Sequence, residues 1–371
     1  MVPRLVAGLA ALRWPRSRLE VLLVCEADDP ETIAAVEEAI LGEPGFQIVL
    51  VPPSLPRTKP KALNVALPLA TGEFLVLYDA EDRPDPEQLH AAWQAFQRGG
   101  TRLACVQAPL VIGNGTCSWL SGHFAMEYAA LFLGFLPWLA REGLPLPLGG
   151  TSNHFRREAL VAVGAWDSHN VTEDADLGIR LARRGLTVGT IDVPTGEDAP
   201  ERWSIWLRQR TRWMKGWMQT WLVHMRHPVR LWRELGPRGF LAFQVLFFGM
   251  VGSGLAHPLS LVFILYSLST AHGSTPLFKA LVVADTVILV LGYLAYGVLL
   301  LKSLAPEERT LFRPLFVSVY FYWMLVSLAV LRAMIQLVFA PHYWEKTPHG
   351  MAAKAKAGLP PTRRLAVPAA E

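Results

Sequence analysis

The chain has 371 residues, of which 52% are apolar and 18% are charged. It is too apolar for an ordinary soluble enzyme and too charged for a protein that lies wholly within a membrane. The formal net charge is +4, and the basic residues form no compact patch, which argues against a nucleic-acid-binding protein. Nearly all Asp and Glu residues precede residue 240, so the sequence predicts a polar domain followed by an apolar one.

The N-terminus and the cysteines indicate the compartment. The first 14 residues lack the charged start and long apolar core of a signal peptide, and they predict a short amphipathic helix. Cys25, Cys105 and Cys117 are too irregularly spaced for a disulfide framework or a zinc site. These features fit a reducing compartment.

The first half of the chain alternates between short apolar runs and amphipathic segments. This alternation predicts a mostly parallel sheet with helices on both faces. Ligands of such sheets bind at the carboxyl ends of the strands. Asp28, Asp29, Asp79 and Glu81 all follow predicted strands, so we expect them around one crevice. The predicted strands are 19–25, 46–51, 74–78 and 103–108, and the predicted helices are 31–41 and 86–98.

The segment 119–138 is rich in aromatic and aliphatic residues but contains His123, Glu127 and two glycines. These interruptions disfavour a membrane crossing and favour a helix that lies at the membrane interface. The alternative is a helix that packs on the core of the polar domain.

From residue 240 the sequence becomes apolar. The run 240–269 is expected to break at His257-Pro258, and the run 281–301 has about the ~20 residues that cross a bilayer. A third run, 315–340, is followed by basic residues, which prefer the cytoplasmic side of a membrane. We therefore expect two full crossings and a third helix that is interfacial or re-entrant. The Ala- and Pro-rich end from residue 352 is expected to be disordered.

Two carboxylates follow the third predicted strand, in Asp79-Ala80-Glu81. At a strand end they can hold a hard divalent cation that also bridges the two phosphates of a nucleotide. The alternative is a solvated turn, of which the following Arg83-Pro84-Asp85-Pro86 is also typical. The other motifs of the chain favour the metal site.

The acidic segment Thr172-Glu173-Asp174-Ala175-Asp176 begins a predicted helix that ends at Gly185. Acidic side chains in a first helical turn are stabilised by the helix dipole, and Thr172 is expected to cap the helix, so the cluster also has a structural explanation. Asp174 is predicted to be the general base that removes a proton from an acceptor hydroxyl.

Gln209, Arg212 and Trp213 share one face of a predicted helix, because positions i, i+3 and i+4 are neighbours. Arg212 can bind phosphate oxygens in fork geometry. Trp213 offers a flat face to a sugar ring, and Gln209 can donate to and accept from hydroxyl groups. An amphipathic helix at a membrane surface would carry the same residue types, and both interpretations are open.

The segment Arg57-Thr58-Lys59-Pro60-Lys61-Ala62-Leu63-Asn64 brings three cations to the start of a predicted helix. Cations there oppose the helix dipole, which indicates that they face a phosphate group. A solvated basic loop is the alternative.

In this order the motifs resemble family 2 glycosyltransferases, specifically the membrane-integrated branch that includes cellulose, chitin and hyaluronan synthases. The resemblance covers about residues 15–350. It rests on the apolar segments and on Asp28-Asp29, Lys59-Pro-Lys-Ala-Leu-Asn64, Asp79-Ala-Glu81, Thr172-Glu-Asp174, Gln209…Arg212-Trp213 and Trp344-Glu-Lys-Thr-Pro-His349.

The resemblance implies a GT-A fold, a UDP- or GDP-linked sugar as donor, Mg²⁺ or Mn²⁺ as cofactor, and inversion at the anomeric carbon. It implies residues for the donor, the metal and the acceptor around the base Asp174. The donor would be bound by Asp28 or Asp29, Lys61, Asp79 and Arg212, the metal by Asp79 and Glu81, and the acceptor by Glu173, Gln209 and Trp213.

Two further segments are similar to family elements. Gly149-Gly150-Thr151-Ser152-Asn153 is similar to a loop that lies near the acceptor. A gating segment that closes over the nucleotide is expected at Trp344, Lys346, Thr347 and His349.

The sequence departs from the family pattern in two respects. Glu81 stands where Asp is commoner, and it remains a competent oxygen ligand. The chain begins about where the family's first strand has ended, and no apolar crossing precedes the catalytic domain. We therefore expect either an N-terminal truncation, which removes one wall of the nucleotide pocket, or a sheet that lacks this element.

The sequence thus predicts a cytoplasmic GT-A domain at 1–235 with an interface helix at about 118–140, transmembrane or interfacial helices at 236–341, and a gating-like segment with a tail at 342–371. We expect a multi-pass protein of the inner or plasma membrane that extends a β-linked polysaccharide, with accessory export subunits and without nucleic acid. The alternatives are transfer to a polyprenyl-phosphate lipid, whose phosphate needs no base, and a non-catalytic membrane subunit derived from such an enzyme.

Overall fold

The computed structural model describes residues 1–270, 275–341, 343 and 345. Its first part combines strands with helices, and its second part consists of long apolar helices. The strands are β1 (Val21–Glu26), β2 (Phe46–Val51), β3 (Phe74–Leu77), β4 (Arg83–Pro84), β5 (Leu103–Gln107), β6 (Leu110–Ile112), β7 (Asn153–Arg156), β8 (Thr187–Thr190) and β9 (Thr195–Glu197).

Helices flank the strands in the first part and continue without them in the second. In the first part they are α1 (Val2–Ala10), α2 (Pro30–Ala39), α3 (Lys59–Ala66), α4 (Gln88–Gly99), α5 (Trp119–Ala130), α6 (Leu136–Arg141), α7 (Arg157–Ala162), α8 (Glu173–Arg183) and α9 (Trp203–His224). In the second part they are α10 (Pro228–Phe243), α11 (Met250–Thr270), α12 (Pro276–Ser303), α13 (Pro306–Phe316) and α14 (Val319–Phe339).

The elements predicted within residues 19–108 are confirmed, with bounds that differ by one or two residues. The N-terminal amphipathic helix is α1, and its apolar face packs on β1 and α2. All three cysteines are free, with Cys25 and Cys105 buried, as the sequence predicts.

The prediction of a mostly parallel sheet is wrong. The strands form three sheets, with the orders β1-β2, β3-β7-β5-β8 and β4-β9-β6. The pairs β1-β2, β5-β8 and β6-β9 are parallel, whereas β3-β7, β5-β7 and β4-β9 are antiparallel. The difference comes mainly from β7, a four-residue strand that enters the largest sheet between β3 and β5. Its sequence, Asn-His-Phe-Arg, is too short and too polar to predict a central strand.

The main core lies between the four-stranded sheet and the helices α5, α6, α8, α9 and α10. Phe124, Phe155, Leu177, Trp206 and Phe243 are buried there. Because residues from the strands, from α8 and from α9 share this core, the ends of those elements are held in fixed relative positions.

The predicted interface helix is observed at Trp119–Arg141 as α5, a π-helical turn (Leu131–Phe135) and α6. Most of α5 is buried, and it packs on the main core on one side and on α12 and α13 on the other. The structure therefore favours the alternative in which this segment packs on the core of the polar domain. A location at a membrane interface stays a prediction.

Four helices in the described residues are long and apolar enough to cross a membrane: Trp119–Arg141, Pro228–Ser269, Pro276–Ser303 and Val319–Phe339. How many of them cross one stays a prediction. The expected break at His257-Pro258 is wrong, because α11 continues through Pro258. The backbone leaves helical geometry at Gly236, where φ is 68°, directly before Pro237.

The last long helix lies along the helix that carries the Gln-Arg-Thr-Arg-Trp motif. α14 packs on α9, and its residues Val330 and Ala333 are buried against Met214 and Met218. The segment after α14 is bound to the same helix, because Lys215 Nζ donates to the carbonyl of Tyr343 at 2.6 Å and Gln219 Nε2 to that of Pro341 at 2.8 Å. The apolar second part is therefore attached to the candidate site through α9.

Candidate active site

The candidate site lies where several elements present their ends to one space. β3 ends at Leu77, just before Asp79, and α3 begins at Lys59. α8 begins at Glu173, and α9 runs beside it. This arrangement brings together motifs that lie between residues 59 and 213 of the sequence.

Lys59 is the cation at the centre of the site. Its Nζ forms an ion pair with Asp79 and donates a hydrogen bond to the carbonyl of Gly150 at 2.6 Å. Burial alone would lower the pKa of Lys59, but the negative charges of Asp79, Glu173 and Asp174 raise it above its usual value. Lys59 therefore stays charged, and its positive charge partly balances the negative charges of these three carboxylates.

Asp174 occupies the first turn of α8 on the buried side of the site. Its Oδ1 accepts a hydrogen bond from the backbone N–H of Ala175 at 2.8 Å. A Cβ atom on Gly150 would lie 3.2 Å from Asp174 Oδ2, so the 149–153 loop closes tightly on the carboxylate. Burial raises the pKa of Asp174, and the charges of Lys59 and Arg212 oppose that rise.

Glu173 lies beside Asp174 in the same buried turn. Burial and the charge of Asp174 raise the pKa of Glu173 to about 7, while Lys59 and Arg212 act in the opposite direction. A carboxyl group whose pKa is moved toward neutral pH, beside a second carboxylate, is typical of acid–base sites.

The contact between α8 and α9 is unusually close. A Cβ atom on Gly216 would lie 2.2 Å from Thr172 Oγ1, so only glycine allows this approach. Thr172 is at the N-cap position of α8, but its side chain forms no capping hydrogen bond, contrary to the prediction. Among the described residues its hydroxyl has no partner, because it faces the backbone of α9. This approach places Arg212 of α9 within electrostatic reach of Glu173 and Asp174.

A group of carboxylates surrounds Asp79. Asp82 is 2% exposed; its Oδ2 accepts hydrogen bonds from the backbone N–H of Asp79 at 2.7 Å and from the Thr151 hydroxyl. Its Oδ1 is buried and has no partner in the described part of the chain. Burial and the charge of Asp79 raise the pKa of Asp82 to about 8. Burial and the charges of Asp82, Asp79 and Glu81 also raise the pKa of Glu197.

This excess of negative charge fits a bound cation. Within the described ranges, no three His, Cys, Asp or Glu side chains converge closely enough to hold a metal ion alone. Two carboxylates, Asp79 and Glu81, would therefore need oxygen ligands from phosphate or water, which is how proteins commonly hold Mg²⁺ or Mn²⁺. The orphaned Asp82 oxygen and the raised pKa of Glu197 show that positive charge is under-supplied around these carboxylates.

The acceptor-side residues predicted from the sequence lie on α9. Trp213 packs with Phe124 and Tyr128 of α5, at centroid distances of 6.0 and 6.4 Å. Gln209 is half-buried, and its Oε1 has no hydrogen-bond partner among the residues that the structure describes. This oxygen is itself buried, so a ligand hydroxyl could reach it only after a change of the Gln209 side-chain rotamer.

Arg210, between the motif residues, was not predicted as important. It is 2% exposed, and its two terminal nitrogens donate to the two carboxylate oxygens of Glu127 on α5 at 2.5 Å each. Tyr322 of α14 donates to the same carboxylate at 2.7 Å, and the Arg210 guanidinium lies 4.8 Å from the Trp213 ring centroid. One sequence signal could have revealed this group, since an acid within an apolar helix, such as Glu127, is rarely buried without a partner.

The residues near β1 that were predicted to bind the nucleotide sugar each have a different partner. Asp28 forms an ion pair with Arg57, whereas Asp29 caps α2 by accepting from the N–H and the hydroxyl of Thr32 at 3.1 and 2.7 Å. Lys61 is buried with its Nζ 3.3 Å from Glu26, so it lies farther from Asp79 than Lys59 does. Asp28 and Asp29 are both exposed, and each already has a partner within the chain.

The gating-like residues Trp344, Lys346, Thr347 and His349 lie outside the described residues. Their neighbour Glu345 is described, and it forms a bidentate ion pair with Arg332 at 2.8 and 2.9 Å and accepts from Gln336 at 3.1 Å.

Comparison with known proteins identifies the fold. The mannosyltransferase PcManGT of Pyrobaculum calidifontis, solved with GDP-Man and Mn²⁺, superimposes with a TM-score of 0.58 at 19% sequence identity, over 91% of this chain and 83% of that one. The chain therefore has a GT-A-like fold, followed by several apolar helices.

Sequence relatives include three curated proteins. A probable glycosyltransferase, YdaM of Bacillus subtilis, is 26% identical over 58% of this chain. A beta-monoglucosyldiacylglycerol synthase of Synechocystis is 27% identical over 95% of this chain and 73% of its own length. The UDP-forming cellulose synthase catalytic subunit of Komagataeibacter sucrofermentans is 24% identical over 59% of this chain and 29% of its own length. The chain spans about half the length of YdaM, 52%.

The family model described as Glycosyl transferase family group 2 matches residues 74–344. That region includes Asp79, Asp174 and the motif on α9, which are the parts of the site that the fold brings together. Because the match covers most of the chain, this protein belongs to glycosyl transferase family group 2.

Proposed function

We propose that the protein transfers a sugar, with inversion and with the help of a divalent cation, from a nucleotide sugar to a hydroxyl of an acceptor at a membrane. The observation that carries the proposal is the convergence of Lys59, Asp79 and Asp174. It places a binding region for the donor's phosphates beside a half-buried carboxylate that can remove a proton.

The donor would bind on the side of Asp79 and Lys59. Asp79 and Glu81 would hold Mg²⁺ or Mn²⁺, which when bound neutralises the diphosphate that leaves the sugar. Arg212 would bind the same diphosphate, since its charge already acts on Glu173 and Asp174 across the site. Asp28, near the end of β1, would contact the nucleoside.

Asp174 would act on the acceptor. It accepts the hydroxyl proton as the acceptor oxygen forms a bond to the anomeric carbon and the bond from that carbon to the diphosphate oxygen breaks. A raised pKa makes a carboxylate a better base near neutral pH, provided that the group is still ionised. Lys59 and Arg212 favour the ionised form, because both stabilise its charge.

We propose a growing β-linked polysaccharide as the acceptor. Trp213 supplies an aromatic face and Gln209 an unpaired amide oxygen, and both groups suit a sugar ring with hydroxyls. The attacking group of a polysaccharide is a hydroxyl, for which Asp174 is required. A polyprenyl phosphate attacks through an oxygen that is already ionised, so it gives Asp174 no role.

A membrane lipid with a free hydroxyl is the second candidate acceptor. The observation that favours it is the extent of similarity to the beta-monoglucosyldiacylglycerol synthase, which matches 95% of this chain. A lipid hydroxyl also requires a base, so the two candidates share Asp174 and differ in the product. In both, we propose that the apolar helices hold the enzyme in the membrane with its catalytic part in the cytoplasm.

The test uses the full chain, purified in detergent, with UDP- and GDP-sugars. We expect release of nucleoside diphosphate that requires Mg²⁺ or Mn²⁺ and that is lost in Asp174→Asn while nucleotide binding is kept. Products of many lengths would support a polysaccharide, and a single product soluble in organic solvent would support a lipid. Wild-type turnover in the Asp174→Asn enzyme would overturn the proposal.

A further inference from the structure

A cavity of about 570 Å³ lies between α5, the end of α12 and α13. Its volume is within the ~300–1,000 Å³ of small-molecule sites. Met126 of α5 lines it, whereas Phe124 and Tyr128 of the same helix face Trp213. Because residue 126 lies roughly opposite residues 124 and 128 on a helix of 3.6 residues per turn, the cavity is on the other side of α5 from the candidate active site.

The walls of this cavity are apolar and continuous with the apolar surface. Its inner wall includes Leu300, Leu304 and Phe312, which are all buried. At its mouth, Leu301 is 57% exposed and Val317 is 83% exposed. Exposed aliphatic residues around an opening on an apolar helix are typical of a surface that contacts lipid chains.

Two arginines stand at the same cavity. Arg309 and Arg313 lie one turn apart on α13 and line it together with Thr310. Arg309 donates through Nε to the carbonyl of Leu304 at 3.0 Å, which fixes the guanidinium and leaves its terminal nitrogens available. In the part of the chain that the structure describes, neither arginine forms an ion pair. The neighbouring acid Glu308 accepts from the backbone N–H of Ala305 at 2.7 Å as the cap of α13.

We propose that this cavity binds an anionic phospholipid, with its phosphate held by Arg309 and Arg313 and one acyl chain against the apolar wall. The charges favour this occupant, because a guanidinium pair one helical turn apart suits a phosphate. The position also favours it, since basic residues that follow an apolar helix attract anionic headgroups. The inference rests on the membrane location that belongs to the proposed function.

A lipid in this site would support α5 from the side opposite Trp213. Met126 touches the cavity, and the next residue, Glu127, binds Arg210. The site is therefore adjacent to the contact between α5 and α9, and an occupant that binds only the folded protein stabilises it.

The test measures lipids that remain bound to the full chain in native mass spectrometry, after incubation with equal amounts of phosphatidylglycerol and phosphatidylcholine in detergent. We expect at least a tenfold preference of the wild type for phosphatidylglycerol and a higher Tm in its presence. The double variant Arg309→Gln/Arg313→Gln should lose both effects, and Arg309→Lys/Arg313→Lys should keep part of the preference. Lys302→Gln is the matched control, because it removes a nearby exposed charge that does not line the cavity.

Four results would overturn the inference. They are equal binding of the two lipids, an equal loss in Lys302→Gln, the same rise in Tm with inorganic phosphate alone, and unchanged binding in the glutamine double variant. If that variant does not fold, addition of salt to the wild type replaces it, and a preference that persists in high salt would contradict a phosphate–guanidinium contact. Metal-dependent release of nucleoside diphosphate in lipid-free detergent tests the proposed function separately, so either can fail while the other stands.

Discussion

The guanidinium of Arg210 donates to both carboxylate oxygens of Glu127 at 2.5 Å, and this buried pair joins α9 to α5. Tyr322 of α14 donates to the same carboxylate, so three helices from distant parts of the chain meet at one ion pair. Neither residue contacts the carboxylates of the candidate active site. Their role is to hold Gln209 and Trp213, which lie on the same helix as Arg210.

Substitution of either member of this ion pair should destabilise the folded protein. Arg210→Gln and Glu127→Gln each leave a buried charge without its partner, so each should lower the free energy of unfolding by about 3–5 kcal/mol. The double variant should lose less than the sum of the two, because it leaves neither charge unpaired. Denaturant unfolding of the four proteins in one detergent measures this, and strictly additive losses would contradict the coupling.

Asp174 and Asp176 lie two residues apart on α8, and substitution of each by Asn should have a different effect on turnover and stability. Asp174→Asn should reduce turnover by roughly 10²–10⁴-fold, because it removes the general base. Asp176 accepts from His224 Nε2 at 2.9 Å and from Arg180 at 2.6 Å, so Asp176→Asn should mainly lower stability. Turnover, nucleotide binding and Tm are measured for both. A loss of Tm without loss of turnover in Asp174→Asn would reverse the assignment.

The acidic side of the pH profile should depend on Asp174 rather than on Glu173. Asp174 must be ionised to accept a proton, and burial raises its pKa, so kcat/KM should fall as the pH is lowered. The charge of Asp174 raises the pKa of Glu173 to about 7, so Glu173 takes up its proton before Asp174 does. Glu173→Gln keeps a neutral side chain in the range where Asp174 titrates, so the acidic fall should stay at the same pH. An acidic fall that moves in Glu173→Gln would show that Glu173 is ionised while Asp174 takes up its proton.

The same substitution should alter stability in a defined pH window. The pKa of Glu173 is raised from 4.5 to about 7 in the folded protein, so folding favours its protonated form. Its contribution is present below pH 4.5 and is lost as the pH rises through 7. The unfolding free energy of the wild type should therefore fall across this window relative to that of Glu173→Gln.

Metal removal should stop the reaction. A chelator should abolish release of nucleoside diphosphate, and added Mn²⁺ or Mg²⁺ should restore it. Asp79→Asn and Glu81→Gln should raise the metal concentration for half-maximal activity by at least roughly tenfold, since even outer-shell changes cost 10–100-fold. Asp192→Asn, at an exposed position after β8, is the control. Activity that resists the chelator would exclude this role of the cation.

The close contact of α8 and α9 should tolerate no side chain at residue 216. Gly216→Ala would place a Cβ atom against Thr172, so it should cost about 1–3 kcal/mol and lower turnover by moving Arg212 away from Asp174. Gly8→Ala is the matched control, because a Cβ atom there meets nothing within 4 Å. Equal stability of the two variants would show that α9 can move without loss.

The sequence predicts local elements better than it predicts how they pair. Apolar periodicity predicts β1, β2, β3 and β5, since each is a run of aliphatic residues. It does not predict β7, because the place of that strand between β3 and β5 depends on tertiary contacts. The mixed direction of the largest sheet follows from this one strand.

The residues of the candidate site were likewise predicted in part: local motifs could be recognised, but contacts between distant segments could not. Asp79, Asp174 and Arg212 could be named from short motifs, because their residue types suit the chemistry at those positions. The central position of Lys59 could not be predicted, since Lys61 in the same motif has the same charge, and only the orientation of α3 decides which of them reaches Asp79. The interaction between Asp82, which follows β3, and Glu197 of β9 could not be predicted either, because it depends on the tertiary arrangement of these two strands.

The separation of β1-β2 from the four-stranded sheet has a consequence for how the protein holds a nucleotide. In the described residues no backbone ladder joins the two sheets. Their links are side-chain bonds, such as that of Glu20 with the N–H of Thr71 at 3.0 Å, and the packing of α3. The part of the molecule that carries Asp28 is therefore held to the catalytic carboxylates by side-chain bonds and packing rather than by a continuous ladder. A nucleotide that contacts both parts would cross-link them. Part of its binding free energy would then be used to restrict the motion of one part relative to the other.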